Sequence, residues 1–499
     1  KVLLILSLAK LIIMKMKKLF ISLCLLIFVS SCSEHISIAQ YSDEVAPIYP
    51  DYRDVTIPAN IAPLNFMVET YADETALLIA DGTDTLTIKG AKGNFAIHSK
   101  RWTEMLSRHK GDSLSLVVCR KEANGWVAYR PFAMHVANEP IDSHLAYRLI
   151  APGYSLWAKM GIYQRNLETY EEKAIYVNRV GMGNCVNCHS FKMQNPDQML
   201  FHIRSHGGGT FVYNNGVKEK LDTKTDHTIS NLVYPSWHAS GKYVAFSVNK
   251  TFQLFHTKDP KRIEVYDEAS DVVVYDVEKH EIISTPILST EGGFETFPTF
   301  SPDGKWLYFC VSKAVEMPNN YAQARYSLCR TSFNPETRQF GEAIDTLYSA
   351  EKQGGSVSFP RVSPNGEYLV FTLSNYGQFS IWHKEADLYC LNLQTNHLKP
   401  LAAWNSDDTE SYHSWSSNGR WMVFSSRRDD GLYTRPYIGY MDAEGNPKKA
   451  FMLPQEAPKD YYTELLYSYN IPELITGEVD LEPREVGDWV WSDDVIKVK

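Results

Sequence analysis

The chain has 499 residues, 50 Lys and Arg against 59 Asp and Glu, and a net charge of −9 without a basic block, which argues against nucleic acid as a partner. It is 44% hydrophobic and 13% aromatic, enough to core roughly two to four domains. Thirty tyrosines and 11 tryptophans, punctuated by Gly and Pro, favour strands. There is no phosphate loop or dinucleotide fingerprint, and Gly354-Gly355-Ser356-Val357-Ser358 lacks the second glycine of a nucleophile elbow.

Met16-Lys17-Lys18 is a short basic start, and an apolar run follows from Leu19 to Val29. A short apolar run ending in small residues describes a secretory signal rather than a membrane span. Met14 and Met16 both look like better starts than Lys1, so residues 1–13 read as upstream sequence. Val29-Ser30-Ser31-Cys32 resembles the lipobox of bacterial lipoproteins. That resemblance implies cleavage, diacylation of Cys32 and attachment to the outer membrane, facing either the periplasm or the cell surface. An ordinary signal peptide with an incidental Cys stays open. Residues 1–31 are thus expected to be upstream sequence and signal, and 32–46 a tether.

Residues 47–150 alternate in short apolar segments: Leu64–Val68, Ala76–Ala80, Leu86–Ile88, Ser113–Cys119 and Phe132–Val136. Turn signals between them predict a small β-sandwich of immunoglobulin-like type. Residues 151–184 are expected to connect domains, with a short helix near Glu168-Thr169-Tyr170-Glu171-Glu172.

Next comes Asn184-Cys185-Val186-Asn187-Cys188-His189-Ser190. It contains Cys-x-x-Cys-His, the haem-attachment pattern of c-type cytochromes. Two thiols three positions apart can each add to one vinyl group of the same haem, and the adjacent His can bind its iron. Export agrees, because haem c is attached outside the cytoplasmic membrane. A structural or redox disulfide and half of a zinc site are the alternatives, although no second Cys-x-x-Cys follows. Cys119, Cys310, Cys329 and Cys390 sit in apolar runs and read as buried free thiols.

The remaining chain repeats. Tyr234-Pro235-Ser236-Trp237, Phe297-Pro298-Thr299-Phe300, Phe359-Pro360-Arg361-Val362 and Tyr412-His413-Ser414-Trp415 each lead into an Asp/Asn/Ser-Gly turn and a second strand. The copies start 63, 62 and 53 residues apart, the length of a four-stranded blade with long loops. Cys188-His189-Ser190-Phe191 with Asn195-Pro196-Asp197-Gln198 as its turn looks like a degenerate first copy. Asp271–Val277, Ala386–Leu393 and Tyr437–Asp442 supply outer strands. Over roughly 190–455 the pattern resembles the TolB-like, WD40-like propeller repeat family. The expected fold is therefore all-β, a sandwich followed by a propeller of five blades over 185–455. Six blades result if 151–184 or the tail contributes one, and the tail, 456–499, reads as irregular.

If haem c is present, His189 is its proximal ligand. His202, Arg204 and His206 share parity along an extended segment, so their side chains can point one way. His202 or His206 could supply the second iron ligand, with Met199, Met193 and an open site as alternatives. Arg204 could pair with a propionate. Two function classes follow. One is an envelope lipoprotein carrying haem, as electron carrier or small redox enzyme with a redox or envelope protein partner. The other is a non-enzymatic scaffold that binds protein or glycan, with Cys185 and Cys188 as a disulfide.

Overall fold

The computed structural model describes residues 36–153, 159–226 and 228–499. Cys32 and the signal-like segment lie outside the described residues. From residue 38 to 136 the chain builds a seven-stranded sheet faced by a three-stranded one. Strand Ser113–Glu122 organises it: Leu114, Leu116 and Val118 are buried on one face while Ser115 is exposed. It pairs antiparallel with Phe132–Val136 and Thr75–Ala80. In the core, Phe66 meets Phe95 and Phe132 edge to face at 5.3 and 6.4 Å. Helix Ser99–Arg108 buries Trp102, Met105 and Leu106 against the same core. All five expected segments carry strands. The domain differs from an all-antiparallel sandwich in this helix and in two parallel pairings, Ile38–Val45 with Gly125–Arg130 and Val55–Ile57 with Phe132–Val136.

Beyond the sandwich, the described residues form six blades, each built on four main strands. Their innermost strands are Ser468–Ile475, Cys185–Lys192, Leu232–Trp237, Gly293–Phe300, Ser356–Val362 and Glu410–Trp415, in blades one to six. Each touches the next, and the sixth touches the first. The arrangement is a six-bladed β-propeller. Blades three and four are linked by a single parallel bridge between Ser270 and Phe294. In blades three to six the tight turns fall where the repeats put them, and Gly304 shows why glycine is needed. Its φ is +72°, and an added Cβ would lie 2.1 Å from the ring of His238 in the neighbouring blade.

Four expectations are corrected here. The blade count is six, because 151–184 and the tail both contribute to blade one. Strands Gly161–Asn166 and Glu172–Val177 replace the connecting segment, and the stretch at 168–172 is a turn entering a strand rather than a helix. Residues 144–150 leave the sandwich to form the second strand of that blade. The tail is ordered: Ser468–Ile475 is the innermost strand of blade one, and Ile496–Lys497 adds a parallel edge to blade two. Closing the ring with a distant strand lets every blade edge near the axis find a neighbour.

Candidate functional site: the propeller axis

Each innermost strand carries a bulge whose first residue is left-handed. These residues are Ile471, Cys188, Tyr234, Phe297, Phe359 and Tyr412, with φ between 44° and 53°. Pro472, His189, Pro235, Pro298, Pro360 and His413 follow them. A bulged position has no ladder bond to lose, so proline is tolerated there. Cys188-His189-Ser190-Phe191 is therefore the structural counterpart of Tyr412-His413-Ser414-Trp415. The second half of the haem-attachment pattern is also a copy of the blade repeat.

The bulges converge on the axis. Tyr234, Phe297, Phe359 and Tyr412 pack in sequence, with centroids 4.6, 4.2 and 4.8 Å apart. Beside them a cavity of about 30 Å³ is bordered by Cys188, His189, Arg361, His413 and Glu473. That is room for about two waters. Small hydroxyl residues hold the position after the bulge pair in four blades: Ser190, Ser236, Thr299 and Ser414. Ser236 and Ser414 accept the N–H of the next blade, from Phe300 and Leu474, both at 3.1 Å. Glu473 does the same for Phe191 at 3.1 Å, but with a carboxylate. Arg361 cannot accept, and its Nη1 donates to the Pro360 carbonyl at 3.0 Å. Arg361 is visible in the sequence as a departure at the third residue of the Phe359-Pro360 unit; Glu473 follows Ile471-Pro472, outside the aromatic-Pro copies.

Enclosure sets the protonation. Burial pushes Glu473 up to about 7, against the pull of Arg361 and the Phe191 N–H. Burial also lowers the Arg361 guanidinium below its usual range. His413 Nε2 lies 3.0 Å from the Val370 carbonyl, and burial lowers the ring to about 3. It is thus neutral, with Nδ1 free to accept. His189 is 2% exposed, and neither ring nitrogen has a hydrogen bond of normal geometry; the nearest polar group is the Ile471 backbone. Burial lowers it also to about 3. The Cys188 thiol is raised by burial, an effect countered by the Tyr234 backbone and by Arg204 and Arg148.

The expected haem residues are distributed along strands Cys185–Lys192 and Asn195–Arg204. Cys185 stands opposite Arg204 and Asn187 opposite His202. His202 is buried, its Nδ1 3.2 Å from Thr210 Oγ1 and its Nε2 unpartnered. The shared parity ends at Arg204. Ser205 has φ +74°, so His206 leaves the strand and is exposed, as is Arg204. Met199 is buried and Met193 is exposed in the hairpin turn. That turn is Met193-Gln194, both left-handed, and the expected turn at 195–198 is strand.

The residues as placed do not fit a covalent haem. Three residues of strand separate Cys185 from Cys188 by about 10 Å, shortened somewhat by the bulge. A disulfide needs Cα atoms within about 7 Å, and both cysteines are free. The axial cavity cannot admit a macrocycle. Among the described residues, no three His, Cys, Asp or Glu side chains gather to hold a metal ion. Cys119, Cys310, Cys329 and Cys390 are buried and free, as expected.

No family model and no curated protein matches the chain. Solved propeller structures do. The Dos1 propeller aligns at TM-score 0.33 and 12% identity, over 55% of this chain and 62% of that one. Prolyl oligopeptidase B from Galerina marginata aligns at TM-score 0.35 and 10% identity, over 69% of this chain and 42% of that one. The periplasmic gluconolactonase PpgL of Pseudomonas aeruginosa aligns at TM-score 0.31 and 14% identity, over 62% and 97%. The chain thus spans less than two thirds of the first two. These likenesses concern fold and carry nothing about activity.

Proposed function

We propose that this is an exported, lipid-anchored binding propeller, akin to the TolB-like repeat proteins, whose ligand site is the axial cavity. One observation carries the reading. Where the repeat places small hydroxyl groups, blades five and one place Arg361 and Glu473, which flank the same cavity as Cys188, His189 and His413. Each is half-buried, and its charge carries a desolvation cost unless something pairs with it. A polar end group of a peptide or glycan would meet a donor fork at Arg361, an acceptor at His413 Nδ1 and either role at Glu473. The aromatic ring supplies apolar contact beside them. Screening small carboxylates, peptides and oligosaccharides by thermal shift tests this. A ligand at one hundred times its Kd stabilises by about 2.7 kcal/mol, and Arg361→Met with Glu473→Gln should abolish the shift. If no compound separates the wild type from that variant, the axial reading is wrong. The anchor rests on Val29-Ser30-Ser31-Cys32. Cys32→Ala should release the protein from the outer membrane fraction.

A second reading is covalent haem c at Cys185 and Cys188 with His189 as iron ligand, for envelope electron transfer. It draws on the attachment pattern and on the two unpaired nitrogens of His189. It requires residues 185–189 to leave their pairing with 202–204. Intact mass after expression with cytochrome-maturation factors decides: a haem increment supports it and its absence overturns it.

A further inference from the structure

Blade three carries a hairpin longer than its blade. Strands Tyr243–Phe255 and Ile263–Asp276, of 13 and 14 residues, are the longest among the described residues. Their register shifts between Lys250 and Thr251. Beyond that point the hairpin reaches blade five. Lys261 Nζ reaches Tyr376 Oη and Glu385 of blade five, at 3.3 and 3.4 Å. Glu264 accepts from Tyr376 Oη at 2.6 Å and lies 3.2 Å from His383 Nε2. Burial first, and Arg262 last, hold the Arg427 guanidinium of blade six down to about 10. Blades three and five are not neighbours in the six-membered ring, so the tip reaches past blade four. At its base Asp267 accepts from Asn249, Tyr326 and Gln378 at 3.0, 3.1 and 3.3 Å, joining blades three, four and five.

His383 is fully buried, and a carboxylate faces each ring nitrogen: Glu264 at 3.2 Å from Nε2 and Glu385 at 3.5 Å from Nδ1. Glu264 is within hydrogen-bond distance of Nε2, and Glu385 is at ion-pair distance from Nδ1, which makes no hydrogen bond of normal geometry; together the two carboxylates favour the imidazolium. We propose that hairpin 249–267 is a lid over the channel mouth, latched by the His383 imidazolium and loosened when that proton is lost. The lid is a gate to the axial site and takes its purpose from that reading. The groups facing His383 are Glu264 and Lys261 on the hairpin and Glu385 and Tyr376 on its own loop, with Arg325 of blade four over the Tyr376 ring at 5.9 Å.

Burial alone would lower His383, but Glu264 and Glu385 carry it above its ordinary 6.5. The latch is therefore complete below 6.5 and is lost as pH rises through the higher folded value. Asp267, pushed up to about 6 by burial, ionises at lower pH than the loss of the His383 proton. Its three donors then bind it more strongly, so the base holds while the tip loosens.

Cys188, beneath the lid, is the reporter. The full chain, expressed without maturation factors, is treated with iodoacetamide at pH 6 and 8.5, and Cys188 labelling is read by peptide mass. Comparing proteins at one pH cancels the thiolate fraction. At pH 6, His383→Gln and the half-exposed Glu385→Gln should each label about tenfold faster than wild type, and at pH 8.5 the gap should close to about twofold or less. Equal rates at pH 6, or one gap at both pH values, would overturn the latch. Hydrogen exchange of 249–267 in the wild type needs no variant. Protection corrected for intrinsic rate must fall at pH 8.5, and unchanged protection also overturns it. Gated labelling without any discriminating ligand would leave the lid standing and remove the axial ligand site.

Discussion

Glu473→Gln isolates the electrostatic cost of the axial site. The carboxyl titrates near 7 in the folded protein against an ordinary 4.5. At about 1.4 kcal/mol per tenfold change in proton affinity, its ionisation costs the fold up to about 3 kcal/mol. Arg361 is already counted in that value, and the cavity waters reduce the cost further, so about 1–3 kcal/mol is the working range. The sign follows from the raised value. Below pH 4.5 both states are protonated and nothing is lost. Stability then falls as pH rises, and the loss is complete above 7. Glutamine keeps an oxygen for the Phe191 N–H and never ionises. Urea denaturation at pH 4 and pH 8.5 should give Glu473→Gln the same stability as wild type at the lower pH and a gain at the higher. An identical difference at both pH values would refute the argument that desolvation governs this carboxyl.

Tyr469→Ala should destabilise by about 3–5 kcal/mol, measured by urea unfolding, because Tyr469 is fully buried, packs 4.6 Å from Tyr147 and bonds Tyr461 at 2.6 Å. Gly304→Ala and Gly366→Ala share φ near +72°, yet only the first meets a neighbour, His238 at 2.1 Å. The first should therefore cost about 1–3 kcal/mol more than the second in the same assay. Cys185→Ser should leave thermal stability within about 0.5 kcal/mol of wild type, since this free thiol is only partly buried; a large loss would point to a covalent role for it.

The hairpins of blades three to six were legible because their turns are local: a left-handed Gly after Ser, Asp or Asn fixes each register within ten residues. The pattern also placed Cys188-His189-Ser190-Phe191 in the repeat. Blade one was not legible. Its innermost strand and its outer three are separated by most of the chain, and Gly161–Asn166 and Glu172–Val177 carry no Asp-Gly turn. The turn at Met193-Gln194 was missed because Asn195-Pro196-Asp197 is a stronger turn signal, overridden here by the ladder to Gln198–Asn214. At the site, spacing alone pointed Cys185 and Cys188 toward one ring. Local chain direction decides that, and an extended strand with a bulge separates what one helical turn would gather. Arg361 needed only the comparison of one position across the repeats, whereas Glu473 lies in the blade-one strand that the repeats did not reveal.

The ring is closed by Ser468–Ile475, a strand far along the chain from the rest of its own blade. Arg148 finds its partner Asn470 across 322 positions of sequence, so every blade can form its own hairpins while blade one waits. Such distant pairing is slow to form. The folding chain must therefore remain unaggregated with one blade open until Ser468–Ile475 docks. Proteases and chaperones met during that interval would distinguish finished from unfinished molecules by whether the edge at 144–150 is covered.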